Sequence, residues 1–145
     1  MGIIEDLVAH PGEYVGLDRD PTTGRVSAAR IVVTPLPGGA GVAFDYESFN
    51  ADNPDVVRGH AEHAVLGRTH GGGSVLVTGH IHADTVAVLR ESEPGVFVLG
   101  GESSPFPLAI KISVPAPGRL DYVWSYGAPG GELVERDRAE LTLSS

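Results

Sequence analysis

The chain contains no cysteine. That absence excludes disulfides, thiolate zinc sites, iron–sulfur clusters and cysteine nucleophiles, so any metal would depend on His or carboxylate ligands. Bases are scarce as well: 10 Lys and Arg face 19 Asp and Glu, for a formal charge of -9. Such a field repels phosphate backbones and anionic headgroups, so neither nucleic acid nor a membrane surface is an expected partner. No apolar run approaches the roughly 18 residues of a bilayer span, and Glu5 and Asp6 stand where a secretory signal would carry bases. The same acids occupy the stretch where a myristoylation signal needs Ser or Thr. The expectation is a cytoplasmic protein, monomeric or homodimeric, whose partner is a small molecule.

What is plentiful is punctuation. The 20 Gly and 11 Pro divide the chain at short intervals, as at Pro21 to Gly24, Pro37 to Gly39, Asn53-Pro54, Gly71 to Gly73, Pro94-Gly95, Pro105 to Pro107, Pro115 to Gly118 and Pro129 to Gly131. Between them lie short runs rich in Val, Ile, Thr and aromatics, the pattern of an antiparallel meander. Only the beginning reads as helix, with Ile3, Ile4, Leu7 and Val8 on one helical face before Pro11-Gly12. The strands fall at Gly12 to Asp18, Arg25 to Thr34, Gly41 to Phe49, Val56 to Arg68, Ser74 to His82, Thr85 to Glu91, Gly95 to Glu102, Leu108 to Val114, Arg119 to Tyr126 and Glu132 to Leu143. A single bent strand over 75–90 is the alternative to the fifth and sixth.

The 145 residues fit one domain, 1–145, with a core that needs no staples. Alternation is clearest where Leu120, Tyr122, Trp124 and Tyr126 share one face and Asp121 and Ser125 the other. Ten short antiparallel strands can form a two-sheet sandwich or a closed barrel. Short turns between every consecutive pair favour an all-β, up-and-down antiparallel barrel of about ten strands with a short N-terminal helix, which also removes exposed edges. A barrel of this size encloses packed side chains or one small ligand.

The order of pieces resembles a known superfamily. A short helix followed by Gly12-Glu13-Tyr14-Val15-Gly16 is similar to the Gly-x-Trp-x-Gly opening of calycin barrels, the lipocalin and fatty-acid-binding-protein group, with Tyr in place of Trp. Within it the likeness is nearest to nitrobindin-type, ten-stranded haem-binding barrels. Gly59-His60-Ala61-Glu62-His63-Ala64 resembles their Gly-x-x-His-x-Glu-x-Gly strand, and Leu120 to Tyr122 with Arg136 to Leu141 resembles their closing hairpin. The resemblance implies haem, yet Arg136 occupies the aligned position of the iron-ligating His. A guanidinium has no lone pair to offer iron.

Three groups of residues carry chemistry. Arg136 and Arg138, two apart on the last strand, either turn inward toward a ligand carboxylate, as the Arg and Tyr of fatty-acid-binding barrels do, or point to solvent while Leu133, Ala139 and Leu141 face the core. His60, His63, His80 and His82 flank the Gly71 to Gly73 turn, and a hairpin there sets His63 opposite His80 or, one residue shifted, His60 opposite His82. Glu62 or Asp84 would lie nearby. The cupin-like His-x-His pattern lacks the following Glu, so no metal site is expected. Tyr14, Tyr122, Trp124 and Tyr126 either line a cavity or form plain core. Ser74 and Ser103-Ser104 sit in turns without a nucleophile elbow, and Gly71 to Gly73 lacks the Lys of a phosphate loop.

The function expected is binding of one small, largely apolar, optionally acidic molecule in the barrel, with Tyr14, His60, Glu62, His80, His82, Tyr122, Trp124, Arg136 and Arg138 as its contacts. The alternative is a barrel cyclase or isomerase that folds a reactive substrate, with acid–base groups drawn from His60, Glu62, His80, His82 and Tyr14.

Overall fold

The computed structural model describes residues 2–50, 58–99 and 106–144. The expected start of the fourth strand at Val56, the end of the seventh at Glu102 and the Ser103-Ser104 pair lie outside them. The elements are α1 (Ile3–Ala9), β1 (Gly12–Arg19), β2 (Val26–Pro35), β3 (Gly41–Asn50), β4 (Arg58–Arg68), β5 (Ser74–His80), β6 (Ala87–Glu93), β7 (Val96–Leu99), β8 (Leu108–Ser113), β9 (Arg119–Tyr126) and β10 (Val134–Leu143). Each strand pairs antiparallel with its neighbour in sequence, and β1 closes on β10, so the described strands form a closed ten-strand barrel. Residues 81–86 form a turn between β5 and β6, which are therefore two strands rather than one bent one.

Alternation decides what enters the barrel. Leu66, Leu76, Leu89, Ile110, Leu120 and Leu141 all point inward and are fully buried. They fill the half of the barrel in which β4 ends, β5 begins and β10 ends. Helix α1 covers that end, burying Ile4 and Leu7. Tyr14 lies beneath it, fully buried, its hydroxyl donating to the His10 carbonyl at 2.6 Å. Arg68 at the end of β4 ion-pairs with Glu5 and ties the helix to the sheet. Gly16 is required by closure, because a Cβ there would come within 2.2 Å of the Glu140 carbonyl on β10.

The other half of the lumen is different. There the inward positions of β1, β2, β3, β4 and β5 carry Asp18, Ser27, Ser48, His60, Glu62 and Thr78, all buried. The apolar floor and the polar upper end are consequences of one sequence pattern, since successive inward residues run along each strand from one end of the barrel to the other. Among the described residues no helix is long and apolar enough to cross a membrane.

Candidate functional site

The centre of the polar end is Glu62. Period-two alternation on β4 sends His60, Glu62, Ala64 and Leu66 inward, and Glu62 is only 1% exposed. Its Oε1 meets His60 Nε2 at 3.0 Å and accepts from Trp124 Nε1–H at 2.9 Å. Its Oε2 accepts from the Tyr122 hydroxyl at 2.9 Å and from the Thr78 hydroxyl. An indole N–H can only donate, so the carboxyl oxygen facing it is an acceptor. Four partners from β4, β5 and β9 thus compensate a carboxyl group that would be costly to bury alone. Burial, and then the neighbouring carboxylate, hold the Tyr122 hydroxyl well above the usual phenol range, so it stays a donor.

The histidines gather above Glu62. The β4–β5 hairpin closes through Thr69 to Gly73 on the Arg68 and Ser74 pair, which sets Glu62 opposite His80. Of the two registers the sequence allows, this is the one that brings His60 level with His82; their rings lie 5.6 Å apart between centroids. The His80 ring is 5.7 Å from His82 and 6.5 Å from His60. His63 falls on the outer face, exposed, 3.7 Å from Asp45, and Asp84 is exposed in the turn. The three inner rings stack or tilt instead of converging on a point, and among the described residues no group of three or more His, Asp or Glu is placed to hold a metal ion. Burial lowers both His80 and His82 below the usual imidazole pKa; nearby His60 disfavours their cations further, while Glu62 beside His80 and Asp137 beside His82 act the other way.

Two carboxylates absent from the expected site belong to this end. Asp18, 3% exposed, accepts from the Tyr46 hydroxyl at 2.6 Å, while its Oδ1 has no partner among the described residues. Burial and the charge of Asp137 push its pKa up to about 6. The alternation Tyr14, Gly16, Asp18 on β1 was the signal that could have found it. Asp137 pairs with Trp124 across β9 and β10, so it shares the inner face, with Arg25 3.7 Å away.

The two arginines do not share a face. A bulge between Glu135 and Asp137 makes Arg136 the extra residue of β10 and breaks the alternation on which a common face depends. Arg138 lies opposite Val123 on the outer side and is held by Glu135 at 2.7 Å and 3.1 Å. Arg136 places its guanidinium carbon 5.2 Å from the centre of the Tyr126 ring, and its Nε has no hydrogen-bond partner among the described residues. The haem that the resemblance implies does not fit the position assigned to its ligand, because Arg136 offers no lone pair there. Tyr14 is under α1 at the opposite end, so it joins none of these groups.

Above Trp124 is a cleft of about 320 Å³, walled by His80, His82, Phe106, Trp124 and Tyr126 with Gly127 and Pro129 of the β9–β10 turn. The His80 ring stands edge-on to the indole at 4.9 Å, and Phe106 stands edge-on to Tyr126 at 6.3 Å. Glu62 and His60 lie sealed beneath this wall. Their effect on anything in the cleft passes through Trp124, whose orientation the Glu62 bond sets. No protein-family model matches the chain, and no curated protein matches it either.

Proposed function

We propose that the barrel binds one small, largely apolar molecule in the cleft above Trp124, with Arg136 beside it for an acidic group. The observation that carries this reading is the cleft itself: about 320 Å³ of mostly aromatic wall with two imidazoles and the side chain of Tyr126 among its polar groups. A concave apolar surface with a few placed polar groups is the usual form of a small-molecule site. The filled lower lumen favours the upper end, since Leu66, Leu76 and Leu89 leave the floor packed. Arg136 makes no ion pair among the described residues, in contrast to Arg138, and so is the arginine available to a ligand carboxylate. Kinship with calycin barrels belongs to the same proposal, supported by the ten-strand closure and the N-terminal helix. The alternative, a barrel enzyme, would draw its acid–base groups from His80 and His82, because His60 and Glu62 are 3% and 1% exposed.

Trp124 is the only tryptophan, which makes the test direct. Titration with 2-naphthoic acid should change its emission saturably with one molecule bound per chain. A linear response with no saturation, for this and other small aromatic compounds, would remove the reading.

A further inference from the structure

We infer that His80 is the hydrogen-bond donor that orients the bound molecule, presenting Nε2–H to a carbonyl-type acceptor such as a ketone, ester or amide oxygen; this rests on the binding reading above. His80 is the last residue of β5, and the chain turns immediately after it. That turn brings the main-chain N–H of His82 back onto His80 Nδ1 at 3.3 Å. A main-chain N–H can only donate, so Nδ1 must be the bare nitrogen, and the proton of the neutral ring sits on Nε2.

The same contact opposes the cation. An imidazolium would place an N–H on Nδ1 against the N–H of His82, two donors face to face, and partial burial together with His60 and His82 adds to that penalty while Glu62 offsets part of it. The ring is also held in orientation, edge-on to Trp124, which is itself tied to Glu62. Nε2 has no hydrogen-bond partner among the described residues, and the ring lines the cleft. A neutral, oriented donor in a largely apolar wall is complemented by a neutral acceptor, which needs no counter-charge to enter. His82 discriminates less: neither ring nitrogen has a partner among the described residues, so either tautomer is open to it.

Two measurements test this. Long-range nitrogen–proton NMR at pH 7 should show His80 with Nδ1 bare and Nε2 protonated; the reverse tautomer overturns the inference whatever binds. Trp124 emission should then be titrated with 2-acetylnaphthalene and with 2-isopropenylnaphthalene, which has the same outline but a methylene in place of the oxygen. The ketone should bind tighter by about two- to tenfold, the value of one net hydrogen bond. His80→Phe should abolish the difference while both compounds still bind, and His80→Gln, whose amide N–H reaches a similar place, should keep part of it. Equal affinities in the unaltered protein overturn the donor role and leave the cleft reading intact, whereas saturation by neither compound overturns both. Should His80→Phe not fold, the NMR result and the His80→Gln comparison decide alone.

Discussion

Tyr122 and Glu62, 60 residues apart in the chain, meet through a 2.9 Å hydrogen bond inside the barrel. Their strands, β9 and β4, are not neighbours in the sheet. The contact therefore crosses the lumen and fastens opposite walls, with Trp124 held by the other oxygen of the same carboxyl group at 2.9 Å.

Removing that tie should destabilise the barrel. Glu62→Leu leaves the Trp124 N–H and two hydroxyls buried without acceptors, at about 1–3 kcal/mol for each orphaned group, while Glu62→Gln keeps an acceptor and costs less. Urea unfolding followed by Trp124 emission reads both changes, since the indole would also lose its anchor. An unchanged midpoint for Glu62→Leu would mean that the network carries no stability.

Asp18 gives a pH dependence with a definite sign. Its folded pKa of about 6 stands above the 3.8 of an ordinary Asp carboxyl, so the folded state holds the proton more tightly than the unfolded chain does. The stability it contributes is complete at low pH and is lost as pH rises from about 4 to about 6. Asp18→Asn should accordingly stabilise the fold at pH 8 by at most about 3 kcal/mol, raising the melting temperature there, and leave the melting temperature unchanged at pH 4. A melting-temperature gain of equal size at both values would assign the effect to packing instead.

His80 and His82 act in the opposite pH direction. Their folded pKa values lie below 6.5, so their contribution is present above that pH and disappears as pH falls through the folded values. Ring-proton NMR titration should give both midpoints under 6.5. Midpoints above it would show that Glu62 and Asp137 outweigh burial.

The arginines should separate in ligand discrimination. 2-Naphthoic acid should bind better than its methyl ester by roughly tenfold to a hundredfold, the 1.5–3 kcal/mol of a charge-assisted bond. Arg136→Met should erase that preference and spare the ester, and Arg138→Met, which touches the outer partner Glu135, should not alter it. Loss of the preference in Arg138→Met alone would reverse the assignment.

The ten strands were legible because their signals are local. Turn residues at short intervals bound each strand, and alternation on β4 and β9 names His60, Glu62, Tyr122 and Trp124 as sharing faces before any partner is known. Closure followed from the absence of a long crossover between strands. The inward direction of Asp18 was readable in the same way, from Tyr14 and Gly16, although an isolated acid in a strand does not announce that it is buried.

Meetings between distant strands were not legible. Which imidazoles approach one another depends on a single residue of register at the Thr69 to Gly73 turn, and the chain by itself supports both choices. The bulge at Arg136 is likewise invisible in a run of alternating charges, yet it alone separates Arg136 from the outer-facing Arg138. As an aromatic strand residue Tyr14 can line a cavity or join the core; its height along the barrel, under α1 and away from the cleft, is set by the pairing of β1 with the end of β10. Side-chain direction is a property of the local backbone and is written in the sequence. Height, opposition and the four-partner bond to Glu62 arise only when β1 closes on β10, since closure brings into one volume residues that no local interaction relates.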